Sequence, residues 1–145
     1  MNGHRPALTL EIERVLGVGA RQAVGAEFRY DPVLPLVVTA QFTVPGGPHA
    51  RWHLGRDLLH SGLRAPSGHG AVRLRPSPDR SKAWLRLLAT DTAALFELPA
   101  APLATWLDHT YTLVPAGREL ATVDWDATTT ALLGGTAVPT GTTVK

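Results

Sequence analysis

The chain has 145 residues, enough for one domain with a hydrophobic core of its own. It is 44% hydrophobic and 18% charged, has a formal net charge of +2 and holds no cysteine, so disulfides, thiolate metal sites and cysteine nucleophiles are excluded. No apolar run approaches the ~18–20 residues of a membrane span, and Met1 to Pro6 lack the apolar core of a signal peptide. These features predict a cytoplasmic protein.

Residues 7–16 alternate, with Leu8, Leu10, Ile12 and Leu16 on one side and Thr9, Glu11 and Glu13 on the other. This is the period of a half-buried strand. Residues 27–30 read as a second short strand, after which Asp31, Pro32 and Pro35 turn the chain. Residues 36–44 are rich in β-branched side chains and read as a third. Pro45-Gly46-Gly47-Pro48 is a turn signal, and residues 49–54 are the hairpin partner beyond it.

Residues 55–62 read as a short helix, with Asp57 in its first turn, where a carboxylate meets the positive helix end, and Gly62 as its terminator. Residues 65–70 read as a loop. Residues 71–75 and 82–88 form the clearest hairpin. One of its faces carries Val72, Leu74, Leu85 and Leu87; the other carries Arg73, Arg75, Trp84 and Arg86. A further strand is expected at 95–98. In residues 99–114, Leu103, Trp106, Leu107, Thr110, Tyr111 and Val114 fall at helical spacing. Residues 124–133 read as a last helix with Asp124 as its cap. Residues 134–145, mostly Gly, Thr and Pro, read as a flexible tail. The expectation is an α+β domain over residues 1–133: an antiparallel sheet of six to seven strands with two to three helices.

The sequence offers no catalytic constellation and no set of residues that calls for a cofactor or metal. His49 and His53 are four apart, but on a strand that separates them by roughly 13 Å, too far to share an ion. His60 and Ser61 are helix neighbours and do not face each other. There is no Gly-x-Ser-x-Gly elbow. Asp124 and Asp126 stand at a predicted helix start, where acids cap. Gly68-His69-Gly70 lacks the Lys-Ser/Thr of a phosphate loop. What remains is the face of Arg73, Arg75, Trp84 and Arg86. Arginine with an aromatic suits a protein interface and equally a platform for single-stranded nucleic acid; it also suits a solvated face with Trp84 lying under arginine stems. Twelve of the fourteen basic residues are Arg, which pairs bidentately with carboxylate or phosphate.

Several segments, in order, resemble the SsgA-like sporulation and cell-division family of actinomycetes. They are Phe28-Arg29-Tyr30-Asp31, Phe42, Trp52 through Arg56-Asp57-Leu58-Leu59 to Gly62-Leu63, and Gly70-Ala71-Val72-Arg73-Leu74. Glu97-Leu98-Pro99-Ala100, Trp106-Leu107 and Val114 to Glu119 follow. The resemblance implies a Whirly-like fold, a homotrimer, and a non-enzymatic adaptor in sporulation-specific cell division. Its implied partners are division or cell-wall proteins, FtsZ or another septal protein among them, met at the division septum. The fold's relation to nucleic-acid binders supplies the alternative, a single-stranded nucleic-acid-binding protein. Among the matching residues, the resemblance implies structural roles for Arg29, Tyr30, Asp31, Trp52, Arg56, Asp57, Leu58, Leu59 and Gly62. Leu34-Pro35-Leu36 replaces the family's second Asp-Pro and aromatic, and Ala71 stands where members carry Asp; these departures mark a divergent paralogue.

Overall fold

The structure, a computed structural model, describes residues 5–119. Eight strands and two helices follow one another: β1 (Ala7–Gly17), β2 (Ala20–Tyr30), β3 (Val37–Thr43), β4 (His49–Gly55), α1 (Arg56–Gly62), β5 (Ser67–His69), β6 (Val72–Pro76), β7 (Lys82–Leu88), β8 (Ala93–Pro99) and α2 (Ala100–Leu113). All strand pairs are antiparallel, in one sheet of order β4-β3-β2-β1-β8-β7-β6-β5. The α+β class expected from sequence holds. The count of six to seven strands does not, because the segment read as a loop at 65–70 contains β5. Ser67, Gly68 and His69 carry no apolar pattern; they become a strand by pairing with Leu74, Arg73 and Val72 around a turn at Gly70, whose φ is 76°. β2 is also longer than its sequence signal. Its N-terminal half, with Arg21, Gln22 and Gly25, has weak strand propensity, and the ladder to β1, from Ala7↔Arg29 to Gly17↔Ala20, holds it extended. The helix expected at 124–133 and the tail at 134–145 lie outside the described residues.

The alternation read in β1 decides which face is inside. Ile12 of β1 is buried, as are Val24, Ala26, Phe28 and Tyr30 of β2, and Val38, Ala40 and Phe42 of β3. The sheet curls around these residues. Its strand order puts β4 and β5 at opposite ends, yet α1, which follows β4 directly, packs on β5 and β6 as well as on β4. Phe42 of β3 stacks on Phe96 of β8 at 4.6 Å between centroids and 11° between planes, across the concave interior. Two hairpins rest on local chemistry: Gly46, with φ 73°, turns β3 into β4, and Asp79 gathers the hydroxyls of Ser77 and Ser81 and the Ser81 amide between β6 and β7.

α2 covers the interior. Its predicted stripe is the buried one: Leu103, Trp106, Leu107 and Thr110 are within the core, followed by Val114, while Tyr111 is half-buried. Trp106 meets Phe28 at 6.2 Å. Burying each such large apolar side chain contributes about 1.5–3 kcal/mol, which holds a helix that has no side-chain N-cap bond. No helix among the described residues is long and apolar enough to cross a membrane.

Candidate interaction face and buried arginine network

The hairpin β6–β7 presents the predicted basic and aromatic residues on the convex side of the sheet. Arg73 stands opposite Arg86, and Arg75 opposite Trp84. All three arginines are exposed; Trp84 is half-buried. The Arg75 guanidinium lies 4.9 Å from the centroid of the Trp84 ring. The indole N–H of Trp84 donates to Oε2 of Glu97 on β8 at 2.9 Å. Glu97 in turn stands opposite Glu13 of β1, a like-charge pair that would repel. Arg21 bridges it, with Nη1 at 2.9 Å from Glu97 and 3.3 Å from Glu13. The Trp84 indole first, and Arg21 after it, hold the Glu97 carboxyl below its ordinary range. Trp84 is therefore fixed on one edge and covered on one side.

The residues of the Arg-Asp-Leu-Leu segment build a different structure, in the interior. Arg56 is 0% exposed and is the largest fully buried side chain among the described residues. Its Nη1 donates to the Thr110 carbonyl at 3.1 Å and its Nη2 to Glu119 Oε2 at 2.8 Å. The guanidinium lies 3.8 Å from the Tyr111 ring centroid and 5.1 Å from that of Tyr30. Asp57, next in sequence, accepts the Tyr111 hydroxyl. Burial first, and then this bond to Asp57, push the Tyr111 hydroxyl well above its ordinary pKa. Glu119 accepts the Gly117 amide at 2.9 Å; its carboxyl is lowered by its own backbone amide first and by the Arg56 bond. One cation thus ties the start of α1 to the end of α2 and to the segment after it.

Tyr30 is fully buried and donates to the Pro35 carbonyl at 2.9 Å, closing the β2–β3 connection. Asp31 accepts the Val33 amide at 3.0 Å and stands 3.5 Å from Arg5. Arg29 pairs with Glu27 on the surface. Trp52 and Leu59 are in the core, and Leu58 packs against its edge. Gly62 is the last residue of α1, where the sequence placed the helix end, but the C-cap is Leu63 and Gly62 takes no left-handed conformation there. It makes room instead: a Cβ there would lie 2.6 Å from the Leu74 Cβ on β6.

The histidines stay apart. His49 is exposed, His53 faces Thr39 Oγ1 at 3.4 Å, and the His60 ring packs on Tyr111 at 5.0 Å. Among the described residues no group of three His, Cys, Asp or Glu could hold a metal. Asp124 and Asp126 lie outside the described residues.

Sequence reasoning missed Glu97, Arg21 and Glu119, which organise both networks. Glu97 and Glu119 stand in segments that carried the resemblance, but their partners are distant in sequence, 76 residues for Arg21–Glu97 and 63 for Arg56–Glu119. Nothing local announces such pairs. Arg14 was also missed, and it did leave a signal: by parity it belongs to the apolar side of β1, between Ile12 and Leu16.

A curled antiparallel sheet sealed by two helices, pinned by a buried arginine and bare of any metal cluster among its described residues, defines an α+β scaffold with one decorated convex face. Residues 24–119 match the family described as Streptomyces sporulation and cell division protein, SsgA. The sporulation-specific cell division protein SsgB of Salinispora tropica is 38% identical over 135 residues, covering 88% of this chain and 94% of that one. SsgB of Streptomyces coelicolor is 34% identical over 119 residues, covering 81% and 87%. Two solved structures superpose with a TM-score of 0.78. One, from work on mutations in Streptomyces coelicolor SsgB and longitudinal cell division during sporulation, is 31% identical over 84% of this chain and 98% of its own. The other, an SsgA-like sporulation-specific cell division protein from Thermobifida fusca, is 28% identical over 91% and 98%. The chain belongs to the SsgA family of sporulation and cell division proteins.

Proposed function

We propose that this chain is a non-enzymatic adaptor of sporulation-specific cell division, which binds division or cell-wall proteins at the septum without turnover. The observation that carries the reading is the match along most of the chain to relatives named sporulation-specific cell division proteins. The docking face is the convex surface of β6 and β7, with Arg73 and Arg86 as exposed cations and the Arg75–Trp84 pair beside them. Arginine and tryptophan are enriched where interfaces gain most of their energy. An acidic surface of FtsZ or of another septal protein is the complement. The protein works from the cytoplasm as a homotrimer with a Whirly-like arrangement, as the resemblance implies. A protein partner is favoured over single-stranded nucleic acid because Trp84 is held at its N–H by Glu97 and has a ring face already taken by Arg75, so it is not a free platform for stacking a base.

The test is a pull-down with the purified chain from lysate of a sporulating actinomycete, with and without nuclease. Retention of FtsZ or a septal protein in both is expected. A retained set that collapses on nuclease treatment, with an affinity that falls steeply with salt, would replace the adaptor reading with the nucleic-acid one.

A further inference from the structure

At one mouth of the curled sheet, where the β3–β4 and β7–β8 hairpins approach each other, lies a cavity of about 320 Å³. Its volume falls within the range of small-molecule sites. Phe42 and Phe96, Val24, Trp52 and Leu87 supply apolar wall, and Arg14 also lines it. Arg14 is anomalous. It follows Ile12 by two residues on β1 and stands opposite Phe96 of β8, so it faces the concave side, where its neighbours are apolar. Its sequence neighbour Glu13 belongs to the other face and is engaged by Arg21. Among the described residues no carboxylate pairs with Arg14. One Nη reaches the Ala93 carbonyl at a long 3.5 Å, and the buried Nε has no hydrogen-bond partner.

Arg14 is half-buried, so its guanidinium is partly shielded from water by apolar walls, with no counter-charge and a buried Nε left unsatisfied. A ligand that supplies an anionic head and an apolar body would provide the counter-charge and fill the cavity at once. We propose that this cavity is a binding site for a small amphiphilic carboxylate, with Arg14 receiving the head group and the Phe42–Phe96 stack and Trp52 receiving the chain. A planar carboxylate matches the guanidinium fork better than a compact cation or a neutral head could. The site lies on the concave side and uses none of the residues of the convex face, so it stands or falls separately from the adaptor reading.

The probe is decanoate, titrated calorimetrically into the full-length chain below its micelle concentration, with decyltrimethylammonium as the same chain on the opposite charge. Saturable one-to-one binding of decanoate is expected, with about tenfold preference over the ammonium, since a charge-assisted bond to a half-buried arginine is worth about that much. Arg14→Gln should reduce decanoate affinity by about tenfold or more. Ala50→Leu, from the β4 wall across the mouth, should block the cavity while Arg14 stays intact. Thermal melting of each variant checks that the fold survives. No saturable decanoate binding, equal affinity for both head groups, or undiminished binding by a folded Arg14→Gln variant would each overturn the proposal.

Discussion

A fully buried arginine is costly unless every group it displaces from water is replaced, and Arg56 shows how narrowly that is done. It has a carboxylate, a carbonyl and two aromatic faces, yet its Nε remains without a partner. The partners come from β2, from the last turn of α2 and from beyond α2, so a change at Arg56 loosens three segments together. Arg56→Met is expected to destabilise the fold by about 3–5 kcal/mol, because it leaves the Glu119 carboxylate nearly buried and unmatched by its cation. Adding Glu119→Gln should recover part of the loss. Urea denaturation of the single and double variants measures both. The sign with pH follows from Glu119, whose folded carboxyl is held below the ordinary glutamate value of 4.5. Its contribution is fully present above that value and is lost as pH falls through the lower, folded one. The gap between wild type and Arg56→Met should therefore narrow in acid. The sequence displayed Arg56 as part of a recognisable segment but carried no sign that it would be inside; its burial depends on a partner 63 residues away.

At the scale of elements, legibility followed the local pattern. β3, β4, β6, β7 and the buried stripe of α2 have strong periodicity, and the structure places them where that periodicity does. β5 and the first half of β2 have none, and exist because a neighbouring strand supplies the hydrogen bonds. Gly62 shows the same division in one residue. From sequence it marks the helix end, and α1 does end there; what the sequence does not show is that α1 passes β6 so closely at this residue that a Cβ would meet Leu74. Intrinsic helix propensity alone would make Gly62→Ala stabilising by about 1 kcal/mol. The 2.6 Å approach to Leu74 decides against it. The expected net effect is destabilisation of about 1–3 kcal/mol, typical of forcing volume into a packed contact. A Gly62→Ala variant that melts higher than wild type would show that α1 can move off the sheet at little cost.

At the scale of the whole molecule, the period-two alternation of one curled sheet separates two kinds of surface. The concave side holds the core, with Arg14 and the Arg56–Glu119 pair as its charges, and opens at a mouth; the convex side carries most of the strands' charges, and these are unevenly settled. Glu13 and Glu97 are gathered by Arg21, whereas Arg73 and Arg86 stand directly opposite each other, exposed, with like charges. A scaffold selected only for stability would gain from an opposite pair there. Arg86→Glu makes that pair, and is expected to raise stability by about 0.5 kcal/mol, the scale of a cross-strand ion pair. If the face docks an acidic partner, the same change reverses the local field, and capture of that partner at low salt should fall by about tenfold or more. Melting temperature and pull-down yield would then move in opposite directions. A purely structural role for Arg86 predicts instead that they move together or that capture does not change, so measuring both on one variant separates a docking face from an ordinary solvated one.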